Sequence, residues 1–160
     1  MKNLTIGIDL GGTTITAGLV DGEGHILAQK TCPTALPRPA SEVEATMARM
    51  CGELVSQAGM EFKDLKGVGI GTPGSVDGEC GIVRFNPNFG YEHWPLAKAM
   101  EELLGCPVRI ENDANAAAYG EYCAGAAKGR SSAVVVTLGT GVGGGIILDG
   151  RIWAGFNGAG

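Results

Sequence analysis

Leu4-Thr5-Ile6-Gly7-Ile8-Asp9-Leu10-Gly11-Gly12-Thr13-Thr14-Ile15-Thr16-Ala17-Gly18-Leu19-Val20-Asp21-Gly22 is matched without a gap 128 positions later, by Ser132-Ala133-Val134-Val135-Val136-Thr137-Leu138-Gly139-Thr140-Gly141-Val142-Gly143-Gly144-Gly145-Ile146-Ile147-Leu148-Asp149-Gly150. Each copy reads as strand, glycine turn, strand, and each closes on an Asp-Gly pair. A chain that builds this unit twice has two loops able to press bare backbone N–H groups against one polyphosphate. The copies differ where chemistry would need them to. Asp9 offers a carboxylate for a metal ion, whereas its counterpart is the neutral Thr137. That asymmetry points to a nucleotide clamp.

In the first loop, Gly11 and Gly12 remove two Cβ atoms where the strand turns back, and Thr13 and Thr14 add hydroxyl donors. Asp9, at the strand end, is placed to hold water around a Mg²⁺ ion rather than to touch phosphate. The second loop offers Gly139, Gly141, Gly143 and Gly144 as open backbone and Thr140 as hydroxyl. A plain hairpin with Asp9 as a local cap would explain one loop; it does not explain the pair. Neither loop is a P-loop, since no Lys-Ser or Lys-Thr follows the last glycine. Gly139-x-Gly141-x-x-Gly144 fits a dinucleotide fingerprint by spacing, yet Ile146-Ile147-Leu148 continues as a strand and not as the required helix.

Working outward, Leu4–Leu10, Thr14–Val20 and His25–Thr31 read as a three-stranded meander. After a proline-stiffened loop, Ser41-Glu42-Val43-Glu44 has capping-box spacing, and Val43, Met47, Met50 and Leu54 recur at helical intervals. The two methionines read as core. Val68–Thr72 is a short strand entering Pro73-Gly74; Ile82 to Phe85 belongs to a hairpin before Asn86-Pro87-Asn88. A helix from Leu96 to Leu104 ends at Gly105, and the strand Val108–Glu111 delivers Asn112-Asp113 into the helix Ala114–Ala124. Either Asn112 or Asp113 could cap that helix, but one cap does not need both. A carboxylate there could accept the proton of a hydroxyl as its oxygen attacks a phosphoryl group. The order of elements gives an α/β mixed sheet with helices against it.

Composition narrows the class. With 44% hydrophobic, 18% charged and 6% aromatic residues, the chain is globular, and its net charge of −5 argues against a broad nucleic-acid surface. The five cysteines lack any Cys-x-x-Cys pair, which disfavours zinc and suits reduced thiols in cytoplasm. No apolar run approaches the ~20 residues of a membrane span. His25 and His93 have no evident partner and read as surface residues.

Four segments together closely resemble the ROK family (repressor, open reading frame, kinase): Asp9-Leu10-Gly11-Gly12-Thr13, Gly71-Thr72-Pro73-Gly74-Ser75-Val76-Asp77, Glu111-Asn112-Asp113-Ala114-Asn115-Ala116 and Leu138-Gly139-Thr140-Gly141-Val142-Gly143-Gly144-Gly145. Within the family the chain is most similar to bacterial glucokinases. The resemblance implies the actin-like ATPase (ribonuclease H-like) fold, two related α/β lobes around a nucleotide cleft. It implies ATP and Mg²⁺ as cofactors and phosphorylation of glucose at its 6-hydroxyl. Asp113 inherits the role of catalytic base, and Asn112, with Asp113, that of sugar ligand; Gly74 and Asn88 also line the family's sugar pocket. Another hexose or N-acetylhexosamine kinase, or a sugar-responsive repressor, is the alternative. Family repressors place a helix-turn-helix before the kinase-like part, whereas here the first strand opens at Leu4; that, the acidic balance, Asp9 and Asp113 favour the enzyme.

Thr14 departs from the family, where Lys is common, and removes a positive charge near the phosphates. The expected division is an N-terminal lobe over residues 1–125 and the start of a second, incomplete lobe over 126–160. Gly158-Ala159-Gly160 resembles the beginning of a segment that runs on in the family to a sugar-binding Glu, the structural zinc cluster and the adenosine pocket. A homo-oligomer through that missing part, no nucleic-acid or membrane partner, and little activity from residues 1–160 alone are expected. Val134, Val136, Ile146 and Leu148 should need cover from helices beyond this stretch.

Overall fold

The computed structural model describes residues 3–138 and 141–155. β1 (Leu4–Leu10), β2 (Thr14–Val20) and β3 (Ile26–Pro33) form the antiparallel meander. α1 (Ala40–Gln57) returns the chain to β4 (Leu65–Thr72), which lies parallel to β1. β5 (Ser75–Asp77), β6 (Ile82–Asn86) and β7 (Tyr91–Trp94) make a small antiparallel sheet of their own. α2 (Leu96–Leu104) leads to β8 (Val108–Asn112), parallel to β4, so the main sheet runs β3-β2-β1-β4-β8. α3 (Asp113–Ala124) then precedes a third sheet of β9 (Ala133–Leu138), β10 (Val142–Leu148) and β11 (Arg151–Ile152).

Strand alternation sets the core. Leu4, Ile6, Ile8 and Leu10 of β1 and Ile15, Ala17 and Leu19 of β2 are buried, in one cluster with Val43, Met47, Met50, Cys51 and Leu54 of α1. Each large aliphatic side chain so covered contributes roughly 1.5–3 kcal/mol. α2 closes the β8 end with Leu96, Met100 and Leu104. The opposite face carries Gly7, Asp9, Thr16, Gly18, Gly69, Gly71 and Glu111, with α3 against its β4–β8 side. Chemistry is therefore left to that second face.

Three sequence expectations change. α1 starts at Ala40, not Ser41. The Pro39 carbonyl accepts from the Glu42 and Val43 N–H groups, and no side chain caps the end, so Ser41-Glu42-Val43-Glu44 is not a capping box. His25 has a partner: its Nδ1 lies 3.1 Å from Asp21 Oδ2 across the β2–β3 turn. The gapless match of the hairpins does not extend to their register. Leu10 pairs with Ile15, so the match would pair Leu138 with Gly143; Leu138 pairs instead with Val142.

That register puts Val134, Val136 and Leu138 of β9 beside Ile146 and Val142 of β10 on one face, opposite the face that packs on α3. It is the face expected to need cover: Val134 is 72% exposed and Leu138 81%. Among the described residues no helix is long and apolar enough to cross a membrane.

Candidate active site

One row of paired residues crosses the main sheet: Thr31, Thr16, Asp9, Gly71 and Glu111. A Cβ added at Gly71 would lie 3.6 Å from the Asp113 Cα, so the start of α3 rests on β4 next to Asp9. Asp9, Glu111, Asp113 and Thr137 line one cleft of about 870 Å³, within the size range of small-molecule sites. Asp9 and Thr137, near the ends of the strands that carry the two glycine turns, thus line the same cleft as the acid at the head of α3.

The first turn is closed by its own backbone. Gly11 donates its N–H to the Thr14 carbonyl at 3.0 Å, and a Cβ at Gly11 would stand 2.9 Å from that oxygen. Gly11 is therefore required by the bend, and its amide is not available to a ligand. The Gly12 and Thr13 N–H groups have no partner among the described residues, and the Thr13 and Thr14 side chains are exposed. Thr34, wholly buried, holds the loop from behind: its hydroxyl donates to the Gly11 carbonyl and its N–H to that of Thr13.

Of the sugar-site candidates, Asn88 lies against this turn. Asn88 is exposed and lies against Gly12, where a Cβ would come within 3.1 Å of the asparagine. Its loop is shaped by Asn86, which is fully buried. The Asn86 Oδ1 accepts from the Asn88 and Phe89 N–H groups, while its Nδ2 donates to the Thr72 hydroxyl at 3.1 Å. Gly74 has a φ of +99° and presses on β6, and its carbonyl accepts from Asn112 Nδ2 at 3.1 Å.

The geometry resolves the choice of cap. Asn112 is the N-cap of α3; its Oδ1 accepts from the Ala114 and Asn115 N–H groups. With one Nδ2 hydrogen on Gly74, a single donor remains on Asn112 for a hydroxyl-bearing ligand. Asp113, half-buried, shares the Ala114 N–H through Oδ1 at 2.9 Å, and its Oδ2 has no partner among the described residues. A free carboxylate oxygen facing a cleft is what a general base needs.

The second turn is only partly described. Gly139 and Thr140 lie outside the described residues, as does Gly158-Ala159-Gly160. Gly141 has nothing near its missing Cβ among the described residues. Gly143 has a packing reason of its own, since a Cβ there would meet the Thr137 Oγ1 at 2.6 Å and the Ala114 Cβ at 3.2 Å.

Burial first, and then the negative charge of Asp113, hold the Asp9 carboxyl above its ordinary range, although its side chain opens to the cleft. Asp9 and Asp113, on one cleft, suit a hard divalent cation with oxygen ligands, such as Mg²⁺. Among the described residues no cluster of three or more His, Cys, Asp or Glu side chains could hold a metal alone, so water or phosphate oxygens would supply the other ligands. The sign of the electrostatic effect is testable. The folded state keeps the Asp9 proton to higher pH than the unfolded chain does. Stability is therefore lost as pH rises from the ordinary carboxylate range through the raised folded value. Asp9→Asn is expected to raise the thermal midpoint at neutral pH without added metal, and to leave it unchanged below the ordinary carboxylate range. Melting curves at the two pH values check this.

The five cysteines are free; Cys51 and Cys106 are buried, and burial followed by the proximity of Cys106 pushes the Cys51 thiol up to about 12. Cys51 and Cys106 are packing groups of the core. Sequence reading assigned no role to Asn86, Thr34, Glu111 or Asn115. A wholly buried asparagine between two strand ends gives no periodic signal, but an asparagine inside an alanine-rich helix is a visible anomaly, because Asn competes for backbone hydrogen bonds.

Known proteins give a consistent picture. The model of the ROK family matches residues 5–160. The chain is 43% identical over 149 residues to a glucokinase of Streptomyces coelicolor, covering 93% of this chain and 45% of that protein. Against a glucokinase of Thermotoga maritima it is 41% identical over 156 residues, 97% of this chain and 48% of the relative. A xylose repressor of Bacillus subtilis is 33% identical over 154 residues, 96% and 40% of the two chains. The crystal structure of a ROK family glucokinase from Streptomyces griseus, in complex with glucose and AMPPNP, superposes with a TM-score of 0.86 at 42% identity, covering 98% of this chain and 48% of that one. The chain spans about half the length of the curated relatives it matches.

Proposed function

The chain belongs to the ROK family and has the actin-like ATPase fold of its sugar kinases, and from that premise we propose that the full-length protein phosphorylates glucose at the 6-hydroxyl with ATP. The observation that carries this reading is the shared cleft of Asp9, Asp113 and Thr137, one acid from each side of the sheet–helix junction and one hydroxyl from the second hairpin. Residues 1–125 would form the first lobe and 126–160 the opening of the second.

In this reading the free Oδ2 of Asp113 takes the proton from the 6-hydroxyl as that oxygen attacks the γ-phosphoryl group. The remaining Nδ2 hydrogen of Asn112 donates to a sugar hydroxyl, and Asn88 and the Gly74 segment bound the sugar. The Gly12 and Thr13 N–H groups, without partners among the described residues, and the Thr13 and Thr14 hydroxyls meet phosphate oxygens, and Thr140 and Gly141 of the second loop would do the same. Asp9 would hold the hydration shell of Mg²⁺, whose charge offsets that of the phosphates when bound. General-base help contributes ~10²–10⁴ in rate, and positioning with charge neutralisation supplies the larger share. With no lysine at position 14, the metal and backbone amides carry more of that neutralisation. A cytoplasmic location, a homo-oligomer and a structural zinc outside this stretch belong to the same proposal.

The likeness to a xylose repressor favours a second reading, a sugar-responsive regulator without turnover. One measurement separates the two. A sugar panel on the full-length protein, with coupled ADP detection, is expected to give strongest turnover on glucose and absolute dependence on a divalent cation. Preference for another hexose or an N-acetylhexosamine would move the assignment within the family. Sugar binding with no ADP release would favour the regulator.

A further inference from the structure

We propose that Glu111 and Asn115 form a positioning couple that fixes the aim of Asp113, an inference that rests on the kinase reading above. Asn115 is only 3% exposed, in the first turn of α3. Its Nδ2 donates to Glu111 Oε1 at 3.3 Å, and the same oxygen accepts the Asn112 N–H at 2.9 Å. The couple therefore bridges the end of β8 and the head of α3, with Asp113 in the span it closes. Asn112 already caps the helix, so capping does not explain Asn115.

Packing does not explain it either. The Asn115 Oδ1 is buried without a partner among the described residues, a cost that alanine would avoid in this alanine-rich helix. The reverse setting of the amide would turn Oδ1 on the Glu111 carboxylate, oxygen against oxygen, so Glu111 selects the orientation seen. From the other side, β10 presses its bare backbone on the same turn: a Cβ at Gly145 would come within 3.1 Å of the Asn115 Cα and 2.9 Å of the Ala114 carbonyl oxygen. The head of α3 is thus fixed to β8 by the couple and backed by β10. Asp113, whose carboxylate accepts one hydrogen bond among the described residues, depends on that fixation for its direction.

Asn115→Ala and Glu111→Ala, each in the full-length protein, are expected to lower kcat on glucose about tenfold with KM moved less than about threefold, the pattern of a misaimed base. The double variant should be no worse than the worse single one, because each change breaks the same bond. Glu111→Gln, which keeps an acceptor oxygen, should recover most of the loss. Amide exchange at Ala114, Asn115 and Ala116 should quicken in both alanine variants. Additive losses, a Gln variant as impaired as the Ala variant, or unchanged exchange would each overturn the couple. Should Asn115→Ala fail to fold, the two Glu111 variants carry the same contrast. A wild-type protein inert toward every sugar would remove the kinase reading instead, and the exchange rates would then decide the couple alone.

Discussion

Asp113→Asn in the full-length protein is expected to lower kcat for sugar phosphorylation by ~10²–10⁴, about 3–5 kcal/mol of barrier, while sugar KM stays within about tenfold. The asparagine keeps an oxygen to accept the Ala114 N–H, so the local hydrogen bond survives. What disappears is the capacity of Oδ2 to take a proton. Asn112→Ala provides the opposite signature: it removes the oxygen that caps two helix amides and the donor on Gly74. Loss of such a cap costs about 0.5–2 kcal/mol of stability, so that variant should lose both thermal midpoint and sugar affinity. Steady-state kinetics with a melting curve for each variant separates the two roles. If Asp113→Asn weakened binding and turnover equally, Asp113 would be a structural residue and the base would have to be sought elsewhere.

Most of this architecture is legible in the sequence because hydrophobic periodicity is strong where one face is buried. The alternation through Leu4, Ile6, Ile8 and Leu10 could only be a half-buried strand, and Val43, Met47, Met50 and Leu54 only a helix stripe; both lie in the core. Where the signal fails, the cause is local. Ser41 has capping chemistry, but Pro39, its φ set by the ring, takes the N-cap position and leaves Ser41 inside the first turn. The register of the second hairpin was hidden for a different reason. Gly143, Gly144 and Gly145 have no side chains to mark a face, and Ile146-Ile147-Leu148 is apolar throughout, so a slip of one residue leaves no trace in the pattern. At the site, residue types showed that an acid and an amide stand together at the head of a helix. Which of them caps it depends on where each side chain finds a donor, and that is decided in three dimensions.

Gly74→Ala is expected to be the most disruptive single-methyl change to the fold and the site together. The added Cβ would lie 2.2 Å from the Phe85 carbonyl oxygen and 3.0 Å from the Asn86 Cα, both backbone atoms that no rotamer change can clear. The φ of +99° adds a conformational penalty of its own. A backbone shift with overpacking and left-handed strain costs on the order of 3–5 kcal/mol in all, a large part of a typical ~5–15 kcal/mol stability. For a domain of this size each kcal/mol moves the midpoint by about 2–4 °C, so a fall of roughly 6–20 °C is expected. The damage should not stop at stability. Displacing β6 carries Asn86 with it, and Asn86 holds Thr72, the Asn88 N–H and the Phe89 N–H, so the loop against Gly12 moves. Displacing Gly74 also pulls the carbonyl that orients Asn112. A misplacement near 1 Å is worth about 10²-fold in rate, and kcat/KM for the sugar should fall by at least that much even at a temperature where the variant is folded. Gly52→Ala is the matched control: it lies within α1 with nothing near its missing Cβ, and should stabilise by about 0.4–1 kcal/mol without changing turnover. Equal midpoints for the two variants would mean that the Gly74 turn tolerates a side chain, and that the segments around Asn88 and Asn112 are not interlocked through it.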